Sequence, residues 1–448
     1  MLAAATATAN IRSITADVCI LGGGGTGAYA AVQLLARGNT VVIVEKEARL
    51  GGHSQTLYLD DGGLIDYGVR GYFNTEIVRA FFDQVGAPYK NYTAPSSVYD
   101  YVDFRTGRRV PPPSAANASD ALARYDTAIR QFPFLSAGVY DLPDEVPEAL
   151  LCPFREFVEA YGLEGILGTV QMFAEPVRDL LAAPLLYVLQ DFGISHLEGL
   201  RRGGGIVPVN GTQELFRRVT RVIGEDRILL NSTVSRVMRN ISGAVVFAAG
   251  GCGKRTAIEA KNVLVTFPPT LENMRVFDLD EDEQTLFSKW RHTSYYAAVI
   301  GNTSIPDGLG LINASPDNQP GGLPLPPFEF LLQYSGIKGY HTTRIVGDAN
   351  FTEEEARRML LGDISRMGQA GTFPVDQQPT MAAFASHSPE AMMVSVDDIR
   401  NGFYKKLYAL QGNRNTYYTG LAFCTDYSPQ LWNYTLGVVD LMNSKRGL

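Results

Sequence analysis

The chain has 448 residues, 45% of them hydrophobic and 19% charged, with 39 Lys and Arg against 47 Asp and Glu for a formal charge of −8. This is the composition of a folded globular protein of two or three domains, or of one nucleotide-binding domain with a large insertion, and it excludes a disordered or collagen-like chain. The acidic balance argues against a nucleic-acid binder, four cysteines are too few for a disulfide framework, and the longest apolar stretch, 180–189, is too short to span a bilayer and contains Pro184.

Residues 17–21, Asp-Val-Cys-Ile-Leu, suit a buried parallel strand. Gly22-Gly-Gly-Gly-Thr-Gly27 follows. Residues 28–37 then have helical composition, with Ala31, Leu34 and Leu35 on one face and Gly38 placed to cap it. Residues 41–44 are a second buried strand ending at Glu45. This order is the start of a βαβ unit. Gly22, Gly24 and Gly27 fit Gly-x-Gly-x-x-Gly in that context. Gly22 permits the tight turn, Gly24 lets the backbone approach a pyrophosphate, and Gly27 allows close helix–strand packing. The phosphates then rest on free N–H groups where the helix begins, near Thr26. Glu45 stands where a carboxylate accepts ribose hydroxyls.

Lys46 comes next, then Arg49-Leu-Gly-Gly-His53. Gly51 and Gly52 let the chain run close beside a bulky cofactor, an element that a nicotinamide dehydrogenase does not need; the plain alternative is a simple turn. A hairpin is expected over 57–64. After it, Asp66-Tyr-Gly-Val-Arg-Gly71 offers a second close approach through Gly68, Val69, Arg70 and Gly71.

The middle is less regular. Residues 96–202 mix loops such as Pro111-Pro-Pro113 with expected helices over 120–131 and 154–161. The apolar stretch 180–192 covers a pocket or forms a core helix interrupted by Pro184. Gly203-Gly-Gly205 marks a boundary. A helix over 212–222 precedes strands over 234–238, 244–248 and 256–259, a meander with a turn at 250–253. Residues 262–267 read as a separate buried strand. Residues 275–400 read as an irregular α+β block, 416–420 as a last strand ending on Gly420, and 432–442 as a closing helix.

Few side chains announce chemistry. The five histidines, His53, His196, His292, His341 and His387, include no pair at metal-ligand spacing, so no metal is expected. No Gly-x-Ser-x-Gly elbow or P-loop occurs. His292, Tyr295 and His341 are the candidate bases, each equally readable as a packing or surface residue. Cys19 reads as a buried thiol, and Cys152 and Cys252 as a possible pair. Nine of the 19 asparagines, Asn91, Asn117, Asn210, Asn231, Asn240, Asn302, Asn313, Asn350 and Asn433, stand in Asn-x-Ser/Thr sequons, where chance gives roughly two. Such sequons act only in the secretory pathway. The expectation is the mature form of a secreted or lumenal glycoprotein; residues 1–10 have neither the basic start nor the apolar run of a signal peptide.

Taken together, 17–45, 49–53, 66–71, 263–269 and 416–432 resemble the flavin-containing amine oxidase superfamily, the group with the FAD glycine fingerprint plus a Gly-Gly doublet. The stretch Tyr417-Tyr-Thr-Gly-Leu-Ala-Phe-Cys-Thr-Asp-Tyr-Ser-Pro-Gln-Leu-Trp432 resembles its fungal β-cyclopiazonate dehydrogenase (oxidocyclase)-like branch. The resemblance implies an α/β fold with a Rossmann-like FAD domain from discontinuous segments, 14–95, 203–274 and 405–448, and an inserted α+β substrate domain from 96–202 and 275–404. It places FAD against Gly22, Gly24, Thr26, Gly27, Glu45, Lys46, Arg49, Gly51, Gly52, His53, Gly68, Val69, Arg70, Gly71, Val234, Gly420, Leu431 and Trp432. Tyr427 and Trp432 fall near where the family closes the flavin site, and would wall an apolar substrate pocket or pack in the core.

Three departures bear on the reaction. His53 replaces the superfamily's usual arginine. Leu421-Ala422 stand where a glutamate is common. No lysine follows Lys289 in 290–300, where many members hold one near flavin N5. The reading is an FAD-dependent oxidase or dehydrogenase that moves hydride from a carbon of a small organic secondary metabolite to N5, with O2 reoxidising the flavin. An amine or amino-acid oxidase and a non-catalytic flavin-binding protein are the alternatives. His53 is expected to be joined covalently to the flavin 8α-methyl carbon; the alternative is a hydrogen bond from its ring.

Overall fold

The computed structural model describes residues 11–95, 98–113, 117–374 and 377–444. The apolar run at 17–21 is the buried end of the strand Ile11–Leu21, which pairs in parallel with Val41–Val44 on one side and Arg255–Val265 on the other. Successive side chains take opposite faces of a sheet, and here both faces are covered. Val18 and Ile20 pack into one core with Tyr29 and Ala31 of the helix Gly25–Ala36. Cys19 and Leu21 pack into another, which includes Tyr125, Phe154 and Leu185 of the helical segment. Burial on both sides is why these strands read as unbroken apolar runs. Gly38, at φ +78°, donates its N–H to the carbonyl of Leu35 (2.9 Å) and closes the helix as expected.

Ile228–Leu229 extends the sheet beyond Val41–Val44, and Ser232–Asn240, Gly243–Gly250 and Arg255–Val265 form the meander. The sequence divided the last of these into strands at 256–259 and 262–267; the structure has one. Its first half pairs with the antiparallel Gly243–Gly250, while Val263–Val265 pair in parallel with Thr416–Tyr418. The change of partner alters the hydropathy pattern without breaking the strand. The expected hairpin is present as Thr56–Tyr58 and Leu64–Asp66. Asp66 Oδ1 accepts hydrogen bonds from the N–H (2.9 Å) and hydroxyl (3.1 Å) of Thr212. The hairpin thus caps the helix Thr212–Ile223 from a distance, in place of a local capping side chain.

Residues 275–400 are more regular than expected. With Val98–Asp103 and Arg108–Arg109 they build an eight-stranded sheet that includes Arg291–Gly301, Leu309–Asn313, Phe328–Tyr334, Tyr340–Asp348, Thr380–Ser386 and Glu390–Met393. Arg291–Gly301 and Phe328–Tyr334 are buried over most of their length, so they lack the period-two alternation that marks a strand with one wet face. Pro184 does not interrupt a helix: it precedes the first turn of Leu185–Asp191, where its missing N–H costs nothing. Among the described residues no helix is long and apolar enough to cross a membrane.

One buried charge ties the meander to the rest. The Arg239 side chain is fully buried and donates to both oxygens of Glu283 (2.6 and 2.7 Å) and to Asp278 Oδ1 (2.8 Å). The Tyr418 hydroxyl donates to Glu283 Oε1 (2.9 Å). The group thereby joins Ser232–Asn240, the helix Glu281–Phe287 and Thr416–Tyr418. A buried pair is weak evidence of stability, but removing one member leaves an uncompensated charge. Glu283→Gln is expected to lower stability by about 3 kcal/mol, read as a drop of several degrees in the melting temperature of the flavin-loaded protein; an unchanged melting temperature contradicts this.

Candidate active site

The glycines at 22–27 and 51–52 form one structure. Gly51 N–H donates to the carbonyl of Gly23 (2.8 Å), and Gly24 and Gly51 form an isolated bridge. A Cβ on Gly27 would lie 2.0 Å from the carbonyl of Gly22, and one on Gly52 would lie 3.1 Å from Gly24 Cα. The strand, the helix and the doublet therefore approach at distances that side chains forbid. Gly24 is different: no protein atom lies within 4 Å of where its Cβ would stand. It precedes a helix with no capping side chain and no acidic residue in its first turn. The open space and the free N–H groups fit a pyrophosphate. Thr26 is buried in that first turn.

Glu45 is buried at the end of its strand. Its Oε2 accepts from Gly23 N–H (2.6 Å) and its Oε1 from Glu47 N–H (2.8 Å), which leaves each oxygen a lone pair. Lys46 is exposed. The Arg49 guanidinium is spent on the doublet loop, donating to the carbonyls of Leu50 (3.3 Å), Gly52 (3.2 Å) and Ser54 (3.1 Å). Val234 stands at a bulge in the meander, next to a break in the ladder. Gly420, at φ +107°, brings the end of the last strand against Thr266. Leu431 is half-buried in the first turn of the helix Ser428–Ser444.

The segment 66–71 is drawn against the doublet. Val69 N–H donates to the carbonyl of His53 (2.9 Å), and a Cβ on Gly68 would lie 1.9 Å from that oxygen. Gly71 packs on Val207. The His53 ring stacks on His387, with centroids 4.0 Å apart and planes 6° from parallel. Its Nδ1 lies 3.7 Å from Glu390 Oε2. Burial, with Lys46 and Arg49 nearby, pushes His53 down to about 4. Burial and His53 hold His387 well below its usual range. Both rings are neutral at pH 7. The His53 side chain nevertheless keeps 39% of its surface accessible. Arg70 borders the same region, is hydrogen-bonded to Gln333, and is pushed down by burial and by Arg344 to about 10, so it stays charged.

Beyond Arg70 lies a buried triad. Glu175 Oε2 accepts from the Tyr295 hydroxyl (3.0 Å) and from Arg344 Nη1 (3.0 Å). Glu175 is 1% exposed, and its Oε1 has no partner. An orphaned buried carboxylate oxygen is rare, and this one is free to accept a hydrogen bond from a ligand.

The three candidate bases are separated by the fold. Tyr295 belongs to the triad, but burial and Glu175 raise its phenol well above the usual range, so it holds a proton rather than takes one. His292 lies three residues away on the strand Arg291–Gly301, and alternation turns it to the opposite face. His341 is fully buried and bonded on both ring nitrogens, to Thr303 Oγ1 (3.4 Å) and the carbonyl of Leu309 (3.1 Å); it is a core residue. Trp432 is also core. It is 1% exposed and stacks on Tyr29 at 5.3 Å, with Tyr72 and Phe81 around it. Tyr427 is half-buried between Phe73 and His196. Cys19 is a buried thiol, and Cys152 is free; the side chain of Cys252 lies outside the described residues. Among the described residues no cluster of His, Cys, Asp or Glu is placed to hold a metal. Glu175, Arg344, His387 and Glu390 escaped the sequence reading, since no local pattern tells a buried charged residue from an exposed one. Asp426 lay inside the quoted 417–432 stretch and was equally unmarked.

The family profile described as flavin containing amine oxidoreductase matches residues 26–279. Beta-cyclopiazonate dehydrogenase of Aspergillus flavus is 37% identical over 433 residues, covering 96% of this chain and 94% of that one. FAD-dependent oxidoreductase oblC of Cochliobolus heterostrophus is 32% identical over 438 residues, covering 94% and 90%. Among solved structures, the CLA-producing fatty acid isomerase from P. acnes aligns over 95% of this chain and 98% of its own, with a TM-score of 0.77 at 20% identity. Cyclohexylamine oxidase from Brevibacterium oxydans aligns over 97% and 100%, with a TM-score of 0.64 at 18% identity. The latter two share the fold, a mixed α/β architecture. With a glycine cradle open at Gly24 and relatives matched along nearly its whole length, this chain belongs to the flavin-containing amine oxidoreductase family and is an FAD-dependent oxidoreductase.

Proposed function

We propose that the protein removes hydride from a carbon–hydrogen bond of a small organic secondary metabolite and that O2 takes up the electrons. Bound FAD supplies the hydride acceptor. The observation that carries the reading is the buried triad Glu175–Tyr295–Arg344, with no lysine over 290–300 of the strand that carries Tyr295. The nearest lysine on that strand's approach, Lys289, pairs at the surface with Asp398 (3.3 Å). Loss of hydride from carbon leaves a cation that must shed a proton from a neighbouring N–H or O–H. Glu175, with one unpartnered oxygen, is the acceptor for that proton, and Arg344 and Tyr295 hold it in place. The relatives named for a dehydrogenase of cyclopiazonate and for FAD-dependent oxidoreductases support a secondary metabolite.

Two variants separate binding from chemistry. Gly24→Val meets no protein atom but fills the pyrophosphate space; it is expected to fold and to purify without flavin, and stoichiometric flavin in the variant contradicts the cradle. Under anaerobic conditions, a panel of amines, indoles and polyketide–amino-acid hybrids is expected to contain compounds that bleach the 450-nm band about as expected of a two-electron flavin reduction, with colour returning in air. Glu175→Gln should keep the flavin and slow bleaching by about 100-fold. No bleaching by any class, or bleaching by simple primary amines alone, removes the reading.

His53 is the proposed attachment point for the flavin. Its ring is neutral and partly exposed, and it has no hydrogen bond to Nε2 among the described residues, so a nucleophilic nitrogen is free. The N–C bond would replace one C–H bond of the 8α-methyl group, with the two electrons leaving through the flavin to O2. Acid precipitation is expected to give a yellow pellet, and His53→Ala a colourless one; colour in the supernatant of the unaltered protein contradicts the bond.

The protein is further proposed to be a secreted or lumenal glycoprotein. Asn91, Asn117, Asn210, Asn231, Asn240, Asn302, Asn350 and Asn433 are exposed. Asn313 is not: its amide donates to the carbonyl of Glu329 (2.7 Å) and accepts from Phe104 N–H (3.2 Å). Endoglycosidase is expected to shift the mobility of the natural product, and peptide mapping to find glycans at exposed sequons and none at Asn313. An unshifted band contradicts the proposal.

A further inference from the structure

Beside the triad is a small hollow where the end of the helix Leu185–Asp191, the turn 424–426 and the strand Glu390–Met393 meet. It has room for a water-sized group. Three carboxyl groups line it, those of Asp191, Glu390 and Asp426. Glu390 is buried and Asp191 half-buried, while Asp426 is exposed. Lost hydration and mutual repulsion hold Asp191 and Glu390 well above the usual carboxylate range, Asp426 adding to the rise of both and Asp191 to that of Glu390. No lysine or arginine pairs with any of them among the described residues. The positive charge that acts on Asp426 is Arg344, already engaged by Glu175 at 3.0 Å. The histidine 3.7 Å from Glu390, His53, is neutral. Such a set keeps its protons while empty and gives them up when a positive charge enters.

An independent group points the same way. Gln190 is 3% exposed and lines the same hollow. Its Nε2 donates to the carbonyl of Val139 (3.4 Å), and its Oε1 has no partner. The neighbouring hydroxyls do not supply the missing donor. Tyr187 donates to the carbonyl of Val394 (3.2 Å) and Thr425 to the carbonyl of Gln190 (2.8 Å). A donor on the occupant would complete Gln190 Oε1. Among the described residues no such cluster of carboxylates is placed to hold a metal ion.

We propose that this hollow seats a protonated amino group of the substrate, held by Asp191, Glu390, Asp426 and Gln190 Oε1. An alkylammonium brings three N–H donors and one positive charge to four acceptors. A nitrogen kept protonated has no lone pair to stabilise the cation that hydride loss would leave on its own α-carbon. The amine is therefore an anchor, and the carbon that reacts lies elsewhere in the molecule. The inference rests on the oxidation of a metabolite proposed above and adds to it that the metabolite is a base.

The test is binding, read by titration calorimetry on the flavin-loaded protein with n-butylamine, n-butanol and butyrate, while the flavin spectrum is followed in parallel. Butylamine is expected to bind at least about tenfold more tightly than butanol, butyrate not measurably, and butylamine is expected to leave the flavin oxidised. Asp191→Asn and Asp426→Asn, which keep the shape and cannot become negative, should each weaken butylamine about tenfold without changing butanol or flavin content. Equal affinity for amine and alcohol, amine affinity unchanged in both variants, or bleaching by butylamine overturns the anchor. If the amine preference is found while no metabolite of the panel bleaches the flavin, the oxidation reading fails and the ammonium seat stands.

Discussion

The close crossing of two glycine turns is the constraint on which the rest of the molecule depends. The backbone at 22–27 leaves its strand and enters a helix while the backbone at 51–52 passes over it, hydrogen-bonded from Gly51 to Gly23 at 2.8 Å. Positive φ at Gly22, Gly51 and Gly52 is needed for that path. Once it is fixed, the remaining positions follow. Arg49 ties the carbonyls of the doublet loop, His53 hangs from its end, and 66–71 is hydrogen-bonded to His53. Asp66 in turn caps Thr212–Ile223, so a helix 146 residues later in the chain is anchored to the same turn. The cofactor cradle and the inner edge of the substrate hollow are thus two ends of one short, rigid stretch.

Electrostatics divides the interior into finished and unfinished regions. Arg239 is as buried as a charge can be, yet every group around it is matched by Glu283, Asp278 and Tyr418. It serves the fold. Around the hollow the accounting stops short. Glu175 keeps an unpartnered oxygen, Gln190 keeps another, and three carboxyl groups crowd together with two neutral imidazoles. Unmatched polar groups of this kind persist where a ligand supplies what is missing.

The same contrast explains how the two large sheets cooperate. The sheet that begins at Ile11–Leu21 is buried on both faces, by the first helix on one side and the helical segment on the other. Its Arg255–Val265 strand exchanges an antiparallel partner for a parallel one midway, which lets Thr416–Tyr418 join and carries the chain through Gly420 toward 424–426. The second sheet brings Tyr295 and Glu390 to the same place from Arg291–Gly301 and its neighbour Glu390–Met393. The site lies between two sheets, and the helical segment that supplies Glu175, Gln190 and Asp191 closes the third side.

The sequence by itself determined what depends on local backbone chemistry. Glycine spacing, the strand–helix–strand order and the doublet are readable because only glycine tolerates the conformations and approaches they require, and a resemblance through 417–432 extended that reading to the family. It left the candidate bases undecided and gave Trp432 to the cofactor, because an aromatic or a histidine looks the same whether it meets a ligand or a core. It missed most of the long second sheet, whose strands are buried on both faces and show no alternation. Only the tertiary structure decided that His341 is bonded on both nitrogens, that His292 and Tyr295 point opposite ways, and that Asp191, Glu390 and Asp426, up to 235 residues apart, share one hollow. Burial and proximity set the protonation and partners of such groups, and both are properties of the fold rather than of any stretch of chain.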